Sequence, residues 1–162
     1  RGEPAIIRRP TAVRPWQHVL EPLAGYLTLG ARLLIEGREY AEAWNFGPAE
    51  TGSLEVRHVA RSIAESWGAG PSSVVLAPNP TGPAESHSLR LDSAKARARL
   101  GWQPMLDLET AISWTVDWYR AFYEGRSSPR RTTEAQIDAY MAKLTEKPEA
   151  QDANEFRILN IA

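Results

Sequence analysis

Three apolar stripes at helical spacing, each closed by a glycine, constrain this chain more than any other feature. In the first, Leu23, Tyr26, Leu27, Gly30, Leu33 and Leu34 recur three and four residues apart behind Pro22, and Gly37 follows. That spacing predicts a helix over about 21–36, with the proline in a first turn where its missing amide costs nothing. Leu54, Val59, Ala60, Ile63 and Trp67 make a second stripe that ends at Gly68. Leu108, Ala111, Ile112, Thr115, Val116, Tyr119, Phe122 and Tyr123 make a third, opened by Asp107 and ended by Gly125. Between the stripes lie short runs that read as strands: 5–8, closed by Pro10; "AEAWNFG" (41–47), stopped by Gly47-Pro48; the buried-looking "SSVVLAP" (72–78); and "LRL" (89–91).

"NPTGPAESHS" (79–88) reads as a turn-rich loop, and Asp92 or Ser93 caps a short helix that reaches Leu100 and stops at Gly101. After the linker "GRSSPRR" (125–131), Thr133 caps one more amphipathic helix through Leu144, and the tail from Thr145 is polar up to "EFRILNIA". The expectation is a mixed α/β fold, helix-rich, with a few short strands and no internal repeat. The sequence opens on "RGEPAII" without a methionine, which reads as the middle of a longer chain.

Nineteen basic and twenty acidic side chains leave a net charge of -1, which offers no cationic field for nucleic acid or acidic lipid. The absence of cysteine removes disulfides, thiolate metal sites and cysteine nucleophiles, and fits a reducing cytoplasm. A dinucleotide site announces itself by a glycine-rich strand-to-helix turn. Here "GAGPSS" (68–73) follows a helix and precedes a strand, so it reads as a helix stop and a turn. Tyr140 and Lys143 are one residue too close for the Tyr-x-x-x-Lys pair of short-chain dehydrogenases. Periodicity makes Tyr140 a core residue beside Ile137, Met141 and Leu144 and leaves Lys143 to solvent. His18, His58 and His87 lack metal-ligand spacing, and there is no Gly-x-Ser-x-Gly elbow.

What remains is "RRPTAVRPWQHVLEPLAGYL" (8–27), where Arg14 stands between Pro10 and Pro15 just ahead of the first helix. A following proline disfavours helical geometry, so the Arg14 guanidinium is carried on an extended segment. So held, it suits a diphosphate, which it grips through paired hydrogen bonds that an ammonium cannot reproduce. The nearby helix start offers further amide donors, with Glu21 competing for that positive end. Pairing with a surface carboxylate, with Trp16 as packing, explains the same residues equally well.

"IIRRPTAVRPWQHVLEPLAGYLTLGARL", "YAEAWNFGP" and "LRLDSAKARARLGWQPMLDLETAISWTVDWYR", in that order, resemble the C-terminal half of the nucleotide-sugar 4,6-dehydratases of the extended short-chain dehydrogenase group. The Leu-Asp-Ser-x-Lys…Leu-Gly-Trp-x-Pro pattern at 91–104 is similar to the whole group. Relatives acting on other nucleotide sugars carry Arg-Asp-aromatic where this chain has Arg14-Pro15-Trp16-Gln17-His18, and that run resembles the branch acting on CDP-glucose.

The resemblance implies a helix-rich substrate-binding portion of a Rossmann-like fold over 1–125, a helix over 126–144 and a polar tail over 145–162. The NAD-binding portion would precede it. Arg14 is implied as the diphosphate ligand, with Gln17 and His18 at the mouth of the same site, although His18 alternatively orders the helix start. Ser53 or Leu54, at the second helix start, is implied to face the nucleotide. The loop from Pro80 to Arg90 would cover it, with Glu85 on the ribose or base and Arg90 at the loop's end. Where the family reads His-Glu-Ala, this chain has Ala84-Glu85-Ser86. Asn45 matches a Tyr-Asn-x-Gly strand end and ties backbone.

The implied reaction turns CDP-glucose into its 4-keto-6-deoxy product: NAD takes hydride from C4, a base removes the C5 proton, water leaves from C6, and hydride returns there. No residue implied for those steps lies in this chain, so turnover by it alone is not expected. The implied partners are a nucleotide sugar and a second copy of the chain, with neither nucleic acid nor membrane, and the implied role is deoxysugar and lipopolysaccharide synthesis. A different nucleotide-sugar specificity on the same scaffold and a non-catalytic oligomerisation module are the rival readings.

Overall fold

A computed structural model describes residues 3–77 and 86–146. Its helices are α1 (Leu20–Glu36), α2 (Val56–Trp67), α3 (Ala94–Leu100), α4 (Leu108–Tyr123) and α5 (Pro129–Thr145). Its strands are β1 (Ala5–Ile7), β2 (Val13–Pro15), β3 (Ser53–Glu55) and β4 (Val74–Leu76). β1 pairs parallel with β4, and β2 pairs antiparallel with β3. The chain is the expected mixed, helix-rich α/β fold.

One core forms where α2 meets α4: Val59, Ile112 and Val116 are buried together, with Trp16 and Leu108 packed against them. α4 begins at Leu108 because the Asp107 carboxylate accepts from the Thr110 amide at 2.8 Å. That bond holds the Asp107 carboxyl below its ordinary range. α5 starts earlier than the sequence suggested: Ser128, not Thr133, caps it, its hydroxyl accepting from the Arg131 amide at 3.2 Å with Pro129 in the first turn. Thr133 instead accepts from the Trp118 indole (2.9 Å), and Gln136 donates to the Trp114 carbonyl (2.7 Å), so α5 is strapped to α4.

The second core gathers Tyr40, Phe46, Ala96, Leu100 and Trp102. α1 reaches it at Gly25, where an added Cβ would lie 2.3 Å from the Phe46 ring. Any side chain there would force the helix and the aromatic apart.

Several sequence expectations are corrected. The run 41–47 is not a strand, because its backbone groups are taken by side chains from elsewhere. Lys95 donates to the Ala43 carbonyl (2.9 Å), Gln17 to the Phe46 carbonyl (2.8 Å), and the Ser93 hydroxyl accepts from the Gly47 amide (2.7 Å). With Ser93 so engaged, the capping bond of α3 comes from Asp92, which accepts from the Ala94 amide at 2.8 Å. Leu54 belongs to β3 rather than to α2. Residues 89–91 form no strand of their own; Ser88 alone makes a bridge to Val13. β4 is not buried: Val75 and Leu76 are 42% and 39% exposed, and Ile6 on β1 is 67% exposed. The stripe that predicts α1 is also not the face α1 buries. Leu27 and Leu34 stand 76% and 90% exposed, while Glu21 and Gly25 are sealed inside.

Candidate functional site

The candidate site is built around β2. Pro10 begins a turn closed by the Ala12 amide on the Arg9 carbonyl at 3.2 Å, and the chain then runs extended through Val13–Pro15, as a residue ahead of proline prefers. On one side β3 pairs with it in the register Val13↔Glu55, Arg14↔Leu54, Pro15↔Ser53. On the other, Val13 donates to the His87 carbonyl (2.8 Å) and accepts from the Leu89 amide (3.1 Å). β2 is thus the middle lane of a narrow three-lane ribbon. The Trp16 indole clamps it by donating to the Leu54 carbonyl at 2.9 Å.

Arg14 sits half-buried in this middle lane, its Nη1 donating to the carbonyls of Val13 (2.8 Å) and Ser86 (3.0 Å). The guanidinium is fixed to the end of the 86–90 segment as well as to its own strand. It lines a cleft of about 230 Å³ together with Arg8 and Arg9, over Ile6, Ile7 and Val56.

The other expected residues fall in distinct places. Ser53 lies opposite Pro15, in the lane beside Arg14. Arg90 is exposed at the far end of the third lane, one residue past Leu89. Gln17 lines a second hollow, of about 180 Å³, between the turn at Pro48–Gly52 and the start of α4. Its Nε2 donates to Phe46, and its Oε1 is buried with no hydrogen-bond partner among the described residues. His18 is only 5% exposed: its Nδ1 accepts from the Leu20 amide (3.3 Å), and its ring stands edge-on to Trp114 at 5.7 Å. Of its two sequence readings, this geometry is that of ordering the start of α1. Burial holds the imidazole below its ordinary pKa. Glu85 lies outside the described residues. Asn45 donates to the Asp92 carbonyl at 3.3 Å, a backbone tie as expected.

Sequence reasoning missed Glu21. Its side chain is fully buried and accepts from Tyr140 Oη (2.8 Å) and from the amides of Met105 (2.9 Å) and Leu106 (2.6 Å), while its carbonyl accepts from the Trp102 indole (3.1 Å). Burial raises its carboxyl pKa, and the three donors pull it back in part. Tyr140, raised by its own burial and by that carboxylate, is the expected core tyrosine.

No family model matches the chain. It is 36% identical to the CDP-glucose 4,6-dehydratase of Salmonella typhimurium over 89% of its own length and 39% of the relative's. It is 31% identical to the dTDP-glucose 4,6-dehydratase of Streptomyces niveus over 78% of its own length and 36% of the relative's. A solved dTDP-glucose 4,6-dehydratase from Bacillus anthracis, in complex with NAD, superposes with a TM-score of 0.57 over 74% of this chain and 35% of that one. At 20% identity that likeness shows the fold alone. The chain spans about two fifths of the length of these curated relatives, and its resemblance to nucleotide-sugar 4,6-dehydratases stands.

Proposed function

We propose that this chain is the substrate-binding part of a nucleotide-sugar 4,6-dehydratase of the CDP-glucose type, acting in the cytoplasm on CDP-glucose. The observation that carries the reading is Arg14 on the middle lane of the β2 ribbon, beside a cleft, in a chain 36% identical to a CDP-glucose 4,6-dehydratase. A guanidinium fixed by main-chain carbonyls loses little freedom when it binds, and its planar fork matches phosphoryl oxygens. Ser53 offers a hydroxyl from the adjoining lane, and the 86–90 segment, tied to Arg14 and Val13, forms the other bank. Arg90 belongs to that bank in this reading, and Glu85, outside the described residues, is the proposed ribose or base contact.

The residues present do not fit NAD. They contain no glycine-rich strand-to-helix turn to cradle its pyrophosphate. Hydride and proton transfer belong to groups outside this chain, which by itself binds substrate without turning it over.

Calorimetry with CDP-glucose and dTDP-glucose tests the reading. CDP-glucose binds the chain, and Arg14→Ala weakens it at least about tenfold. Tighter binding of dTDP-glucose would move the specificity to a sibling enzyme, and CDP-glucose binding indifferent to Arg14→Ala would remove the site. A second reading, a self-associating module, is favoured by the exposed Leu23, Tyr26, Leu27 and Leu34 on α1. Sedimentation showing a clean monomer would exclude it.

A further inference from the structure

The two sides of β2 are paired by different residues. Toward β3 the even-numbered ones take part: the Ala12 carbonyl accepts from the Val56 amide at 2.9 Å, and Trp16 donates to the Gly52 carbonyl at 3.0 Å. The odd-numbered ones face the third lane. Val13 donates to the His87 carbonyl at 2.8 Å and accepts from the Leu89 amide at 3.1 Å, which makes a parallel bridge to Ser88. In that register the next bridge pairs residue 15 with Arg90, residue 15 donating to the Leu89 carbonyl and accepting from the Leu91 amide. Residue 15 is a proline and has no amide to donate.

The third lane therefore parts from β2 after one bridge. That is the physical reason why 89–91 form no strand, although Leu89 and Leu91 alternate as strand residues do; they are left 48% and 37% exposed. Before the bridge the lane is held where Arg14 donates to the Ser86 carbonyl at 3.0 Å. Beyond it the next fixed point is Asp92, whose carbonyl accepts from Asn45 at 3.3 Å and whose carboxylate accepts from the Ala94 amide at 2.8 Å. Arg90 thus stands exposed on a short span anchored at both ends, opposite a residue that cannot zip it into the ribbon.

We propose that Pro15 is a positioning residue for the nucleotide sugar: by withholding an amide it keeps Arg90 out of the ribbon, so that this side chain reaches the ligand from the bank facing Arg14. The inference rests on the substrate-binding reading above. An amide at position 15 would complete the bridge, lay 89–91 along β2 and turn Arg90 with them.

Pro15→Ala in the full 162-residue chain tests this with two readouts. The new amide at position 15 is protected from hydrogen exchange at least about tenfold relative to an unbonded one. In calorimetry, CDP-glucose binds that variant about fivefold more weakly. Arg90→Ala, a change at an exposed position, weakens CDP-glucose by a similar factor, and adding Pro15→Ala to it costs little more, because both act through one guanidinium. Removing the proline also loosens Arg14; a loss from that source persists at full size in the Arg90→Ala background, and that outcome overturns the proposal. An amide at position 15 that exchanges freely overturns it too, as does CDP-glucose binding within about twofold of the parent in either single variant. With the parent still binding, the substrate-binding reading survives each of these results. A parent chain that does not bind CDP-glucose removes that reading and the role of Pro15 with it, whatever the exchange at position 15.

Discussion

Glu21 and Arg14 belong to one short run of sequence, yet their surroundings have little in common. The carboxylate is sealed from solvent and receives hydrogen bonds from groups 84, 85 and 119 residues further along. The guanidinium is half-buried beside a cleft, and its Nη1 donates to main-chain carbonyls of its own strand and the neighbouring lane. A buried charge with every donor drawn from a distant element ties the architecture together, because any rearrangement strands it in an apolar interior. A charge tied to main-chain carbonyls at the rim of a hollow is positioned yet only half-buried, which suits a ligand. Burial, more than charge itself, separates the two roles.

The sharpest way to break this contrast is to remove the sealed carboxylate. Glu21→Ala leaves the Tyr140 hydroxyl and two amides without an acceptor and is expected to cost about 3–5 kcal/mol in denaturant unfolding. Tyr140→Phe removes one donor and is expected to cost about 1–3 kcal/mol. A loss under about 1 kcal/mol for Glu21→Ala would show that the node does not hold the fold.

Acid titration gives an intermediate effect. Burial depresses the His18 imidazole below its ordinary value of about 6.5, so the folded chain binds fewer protons than the unfolded one. Stability from His18 is present above that value and is lost as the pH falls through it toward the lower folded-state value. The slope is at most about 1.4 kcal/mol per pH unit. Glu21 acts in the opposite sense: its raised carboxyl protonates first in the folded state, so acid adds stability there. The difference between unfolding curves of the parent and His18→Asn, which keeps a side-chain acceptor for Leu20, isolates the histidine. A difference that does not change between pH 7 and 5, to within about 0.3 kcal/mol, would contradict the assignment. The smallest effect is expected for Arg14→Ala on folding: under about 1 kcal/mol in the same unfolding assay, in contrast to its large effect on ligand.

The sequence disclosed those parts of the fold whose partners lie close along the chain. The α2 and α4 stripes, the Asp107 cap, and the stops at Gly68 and Gly101, both left-handed in the structure, are all local. Arg14 could be assigned to an extended segment because Pro15 follows it directly. What stayed hidden depends on long-range partners. The run 41–47 carries strand-forming residues, but side chains of Gln17, Ser93 and Lys95 satisfy its backbone, and no local pattern reports that. Glu21 resembles an ordinary first-turn acid until the 105–106 amides and Tyr140 are brought to it.

The orientation of α1 carries a further consequence. A helix turns about 100° per residue, so a shift of one position would tuck its leucines inward and push Glu21 toward water. Greasy residues alone would favour that slip; the three donors to Glu21 and the close fit at Gly25 forbid it. The carboxylate thus serves as a dowel that indexes the helix, and through the intervening Trp16-Gln17-His18 it indexes the strand bearing Arg14 too. The outer leucines are left free of that duty, and exchanging them alters what α1 can touch without disturbing the alignment beneath.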